Sequence, residues 1–347
     1  MPPIPASSRS AHPRPATPAA ARRWARTLAA LLIVPACGVL ASLLLVSAHA
    51  VFAAEGERAG DVGPEPSDVR RVVSLNPSLT AIAIALGARD RLIAIDDYSA
   101  RLEPALDALP RVGGLHSPNL EAVVALEPDV VVLVPSVAQR DFRGRLEALG
   151  IRVEVFENTR FDQVLENIER MGGMLGREAE AAARIAAIEG ARGRAAAVGA
   201  DRGAPKVALV IQREPLYVVG RGSFLSEMLA MLGARSLGDV FDEPYPRVDV
   251  EWLVASAPDV IVDLTEDPSS AERHWQRFPS MPAVKAGRVH AVPAALVSLP
   301  GPDLDRALAT LAGALYGDDA ARAVAGAVAG HETSPSVDDV ASRDESS

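Results

Sequence analysis

Two glutamates stand at matching points of two similar stretches, about 130 residues apart. Asn119 to Val134 reads Asn-Leu-Glu-Ala-Val-Val-Ala-Leu-Glu-Pro-Asp-Val-Val-Val-Leu-Val, and Asp249 to Leu264 reads Asp-Val-Glu-Trp-Leu-Val-Ala-Ser-Ala-Pro-Asp-Val-Ile-Val-Asp-Leu. A lone glutamate in a first helical turn is ordinary, because the helix dipole favours negative charge there. Its repetition makes Glu121 and Glu251 a matched pair with a shared role. Other residues able to do chemistry are sparse. His116, His274, His290 and His331 show no spacing suited to holding a free metal ion. Gly220-Arg221-Gly222 lacks the third glycine and distal acid of a dinucleotide fingerprint, and no phosphate loop or Ser/His/Asp order stands out. Asp96-Asp97 is a carboxylate pair that reads as a solvated turn. No catalytic residue, metal or resident cofactor is expected.

The elements that must position the glutamates follow from the same stretches. Asn119 and Asp249 each sit two residues before the glutamate as helix caps, Pro128 and Pro258 end the helices, and β-branched runs from Val130 and Val260 read as buried parallel strands. Strands alternate with helices on both sides of an Ala/Arg/Glu-rich segment, Glu178 to Val198, which is predicted to be one helix of about 30 Å. The expected fold is α/β: two Rossmann-like lobes with mostly parallel sheets joined by a single long backbone helix. The lobes span 70–160 and 205–317, with connecting helices over 161–204.

The ends are different in kind. Residues 1–54 hold Arg22-Arg23-Trp24-Ala25-Arg26 and then an apolar run from Leu28 to Val46, an export signal with cleavage expected between Val51 and Glu55 or, retained, an N-terminal membrane anchor. Cys37 lies in a segment similar to a lipoprotein box; it is the only cysteine, so no disulfide is expected. A linker covers 55–69, and 318–347 reads as a disordered acidic tail. With 35 basic and 45 acidic residues the formal charge is −10, which argues against nucleic acid as a partner.

Several motifs carry a resemblance. They are Val73-Ser74-Leu75-Asn76-Pro77-Ser78-Leu79-Thr80, Asp97-Tyr98-Ser99, Leu109-Pro110-Arg111-Val112-Gly113-Gly114, the Asn119 to Val132 stretch, Leu175-Gly176-Arg177-Glu178, Tyr217-Val218-Val219-Gly220-Arg221-Gly222-Ser223, and Pro244-Tyr245-Pro246-Arg247-Val248. Together they resemble the extracytoplasmic solute-binding proteins that feed metal-chelate importers of the ATP-binding-cassette (ABC) type, most of all the cobalamin-binding members.

The resemblance implies a non-enzymatic, periplasmic or otherwise extracytoplasmic monomer. It would hold cobalamin or another corrinoid between its lobes and dock on an ABC permease dimer through Glu121 and Glu251. It places aromatic ligand contacts at Tyr98, Tyr217 and Tyr245, and further cleft positions at Leu115, where the family has a tryptophan, and at His116. The leucine, and the lack of a match for the family's charged residues within Ala294 to Pro302, leave a ferric siderophore or haem as alternatives. Haem ranks lower, since its usual ligating tyrosine would fall near Gly114. A Rossmann-type enzyme and an anchored sensor are the readings from other classes.

Overall fold

The computed structural model describes residues 69–114, 117–200 and 202–326. The leader, almost all of the linker, Leu115 and His116 lie outside the described residues, and no helix among those described is long and apolar enough to cross a membrane.

The first lobe begins with β1 (Val72–Ser74), α1 (Pro77–Ala85) and β2 (Leu92–Ile95). A short antiparallel pair, β3 (Gly113–Gly114) and β4 (Ser117–Pro118), leads into α2 (Leu120–Ala125), β5 (Val130–Leu133), α3 (Val137–Ala148) and β6 (Val153–Val155). The sheet order is β2-β1-β5-β6, and every pair is parallel. Its central valine-rich strands, β1 and β5, are buried on both faces, as a parallel sheet covered by helices requires.

Two helices connect the lobes, α4 (Phe161–Leu175) and α5 (Glu178–Gly199). At 22 residues, α5 is about 33 Å long. The second lobe comprises β7 (Lys206–Arg213), β8 (Leu216–Val218), α6 (Phe224–Met231), β9 (Arg235–Ser236), α7 (Val250–Ser256), β10 (Val260–Leu264), α8 (Pro268–Trp275), α9 (Pro282–Lys285), β11 (Val289–Val292) and α10 (Ala294–Val297), and ends in α11 (Leu304–Tyr316). Its order is β11-β10-β7-β8, with β9 also on β7; all pairs are parallel except β7 with β8. The α/β fold with mostly parallel sheets is as expected from the sequence.

One expectation needs correction. Residues 318–325 are not disordered tail but a further helix, α12 (Asp318–Ala325). Ala320 and Val324, one turn apart, are buried against α11 and α5. The alanine-rich composition hid this short apolar stripe.

One hydrophobic cluster runs through both lobes, from Val72, Leu79 and Val130 through Phe161, Ile168, Ile188 and Ala195 to Leu209, Phe224 and Val262. The end of α5 meets the end of α6 backbone to backbone. A Cβ on Gly199 would lie 2.3 Å from the carbonyl carbon of Leu232, and one on Gly233, whose φ is +69°, would lie 2.4 Å from the Gly199 oxygen. Only glycines allow that approach.

Candidate functional site

The glutamates sit on devices that recur residue for residue. Asn119 Oδ1 accepts from Ala122 N at 3.0 Å, and Asp249 Oδ1 accepts from Trp252 N at 2.6 Å, capping α2 and α7. Past the end of each helix, the residue just before the proline has a positive φ, Glu127 at +45° and Ala257 at +49°. Proline disfavours a helical conformation in the residue ahead of it, and these two escape to the left-handed region. The aspartates after the prolines then tie down the neighbouring strand: Asp129 accepts from Arg71 N at 2.8 Å and Asp259 from Lys206 N at 2.8 Å. Sequence reasoning saw the Pro-Asp pair twice but not this use. Glu121 and Glu251 are exposed, with no salt bridge to any described residue.

The tyrosines are carried by different lobes. β8 is paired with β7 on one side, Gln212 opposite Tyr217 and Arg213 opposite Leu216. On the other side it hydrogen-bonds the segment around Pro246, with Val218 N to Pro246 O at 3.2 Å and Val248 N to Leu216 O at 3.0 Å. Strand alternation therefore sends Gln212 and Tyr217 to one face, with Arg213 and Leu216 on the other. Tyr217 and Tyr245 line one cavity of about 330 Å³ with Ile211, Gln212, Leu225 and Ser298. Gly220 lets the Pro244 segment close in, since a Cβ there would lie 2.2 Å from Glu243 O. Tyr245 keeps 41% of its surface exposed. Partial burial nevertheless raises its pKa above the ordinary 10.

Tyr98, 49% exposed, stands on the turn after the carboxyl end of β2 in the first lobe and does not line that cavity. Arg101 lies over its ring at 5.5 Å. Its turn is held from beneath by Asp96, which accepts from Tyr98 N at 2.8 Å, Ser99 N at 3.1 Å and the Ser99 hydroxyl. Ser99 and Thr80 hydroxyls meet at 2.8 Å, and Thr80 reaches Ser74 Oγ at 2.8 Å. Asp96 is fully buried, not the solvated turn residue expected, and burial raises its pKa even against those hydrogen bonds. The structure thus joins two of the three expected tyrosines. It adds Gln212, Leu225 and Ser298, which the sequence reading missed; the alternation of β7 was the signal for Gln212.

Residues 72–296 match the periplasmic binding protein family. The chain belongs to that family. This periplasmic binding protein is a substrate-binding protein of the ABC importer class. It is 26% identical over 243 residues to the vitamin B12-binding protein of Vibrio cholerae, covering 69% of this chain and 86% of that one. It is 30% identical over 271 residues to the cobalamin-binding protein of Halobacterium salinarum, covering 72% and 70%. Among solved structures, a periplasmic heme binding protein from Pseudomonas aeruginosa superimposes with a TM-score of 0.61 at 28% identity, covering 72% of this chain and 93% of that one.

Proposed function

We propose that this periplasmic binding protein captures cobalamin or another corrinoid between its lobes, outside the cytoplasm, and delivers it as a non-enzymatic monomer to an ABC permease. The observation that carries the reading is the pair Tyr217 and Tyr245 facing one cavity, with the exposed Tyr98 on the other lobe. Tyrosine rings cover the flat apolar face of a macrocycle at little entropic cost, and their hydroxyls find its polar edge. The cobalamin-binding names of two relatives favour the same ligand.

Haem is the second reading, favoured by the heme-binding structure and by the Tyr98 ring beside Gly114, where a Cβ would lie 3.9 Å from Tyr98 Cε2. Titration calorimetry with cobalamin, cobinamide, haem and a ferric siderophore separates these. Under the corrinoid reading cobalamin or cobinamide binds, and Tyr217→Ala and Tyr245→Ala each weaken binding about tenfold, roughly 1.4 kcal/mol. Binding of haem alone sinks it.

Delivery rests on Glu121 and Glu251. A two-lobed protein meeting a two-fold permease offers one similar contact per lobe, and a carboxylate facing a guanidinium is both oriented and charge-assisted. Loss of one such buried interface charge costs about 2 to 5 kcal/mol. The double variant Glu121→Ala, Glu251→Ala is expected to abolish uptake into cells while ligand affinity of the purified protein stays unchanged. An equal loss of ligand affinity would contradict the docking role.

A further inference from the structure

On the opposite face of β8 from the tyrosines lies a second, larger cavity of about 550 Å³. Leu216 and Val248 form its wall on the β8 side, Trp275 and Phe278 close it from the end of α8 and the turn beyond, and Asp249 and Val250, which open α7, complete it. The next residue is Glu251. Of the three arginines that line this space, Arg213 and Arg277 are already engaged, while the exposed Arg247 makes no salt bridge to any described residue. Arg213 donates to Asp263 at 2.8 and 3.1 Å and to Ser270 Oγ at 2.7 Å, and Trp275 Nε1 donates to the same carboxylate at 2.5 Å. Arg277 meets the carbonyl oxygen and Nδ1 of His274 at 3.2 and 3.0 Å and lies 3.9 Å from Glu214. A free anion therefore finds Arg213 and Arg277 occupied, while the aliphatic and aromatic wall remains open.

We propose that this cavity receives a large apolar side chain of the ABC permease, from the segment adjoining the arginine that meets Glu251. The inference rests on the docking role given to Glu251 above. Two observations carry it. Asp249 and Val250 belong at once to the cavity wall and to the first turn that presents Glu251, so a partner reaching the glutamate brings its neighbouring residues to the cavity. The chemistry also matches that of interface anchors, in which an apolar side chain fills a pocket rimmed by charge, as Arg247 and Arg277 rim this one. Glu251 then supplies orientation and the cavity supplies grip.

The test uses the full protein and a permease complex in nanodiscs to which the unaltered protein binds. Val250→Trp fills the cavity from the α7 side, and Phe278→Ala removes its far wall without touching α7. Each is expected to weaken docking by about tenfold or more, with cobalamin titration changed less than about twofold, since Leu216 and Tyr217 point to opposite faces. Circular dichroism melting checks that each variant is folded, and Val250→Trp leaves the Trp275–Phe278 packing in place should Phe278→Ala not fold. If Glu251→Ala weakens docking and Val250→Trp does not, the cavity proposal is overturned while the docking role stands. If neither weakens it, both fall. A parallel loss of cobalamin affinity in Val250→Trp would instead assign the cavity to the ligand and overturn the proposal.

Discussion

Asp96, Asp263 and Glu251 carry the same functional group, and their surroundings give each a different task. Asp96 is sealed under Tyr98 and spends its oxygens on the turn above it. Asp263 is buried against Arg213 and the Trp275 indole. Glu251 is left in solvent at a helix start. The sequence marked only the third, because its repeat partner Glu121 was visible; the burial of Asp96 arises where Ser74, Thr80 and Ser99 converge from three separate segments. Histidines give the clearest pH expectation at this scale. His274 and His290 both have pKa values below 6.5, chiefly through burial and then through Arg277 and Arg213 for the first and Arg288 for the second. Below 6.5 the unfolded chain binds protons that the folded one refuses, so their contribution to stability, full above that pH, is lost as pH falls through 6.5 toward the lowered values. Melting temperature is expected to drop between about pH 7.5 and 5.5, and His274→Gln with His290→Gln to flatten that slope. An unchanged slope would show that other groups set it.

The duplicated stretch is best understood as an element. Its helix caps, its proline stop and its following strand were all legible in the residues, since Asn119 and Asp249 bond as caps and Val130–Leu133 and Val260–Leu264 pair as parallel strands. What no pattern revealed is that each aspartate after the proline reaches across to the backbone N–H of an adjacent strand. Removing either anchor leaves backbone N–H groups at a strand start to water, those of Arg70 and Arg71 for Asp129 and that of Lys206 for Asp259, rather than opening a core. Asp129→Ala and Asp259→Ala are each expected to cost about 1 kcal/mol in urea unfolding, adding in the double variant because they share no partners. A sum well short of that would mean the two lobes do not feel the changes independently. The α12 helix was missed for the opposite reason: its two buried side chains are too few to stand out among alanines and aspartates.

At the scale of the whole molecule, the shared core decides how the lobes can move. Phe161, Ile188 and Ala195 are buried in one hydrophobic cluster with residues of both sheets, and Thr159 O and Phe161 N bond Phe224 N and Glu227 at 2.7 Å each, so the crossing segments are packed onto the lobes rather than spanning a gap between them. A hinge there would have to open apolar surface and break those bonds, which favours small adjustments over wide closure. Solution scattering with and without cobalamin is therefore expected to superimpose; a marked contraction on binding would contradict this. The contact between Gly199 and Gly233 has a practical consequence. A hybrid protein that borrows its carboxyl-terminal half from a relative must bring a residue without a side chain to both positions at once, or the grafted half will sit tilted on its spine and present its aromatic rings at the wrong angle.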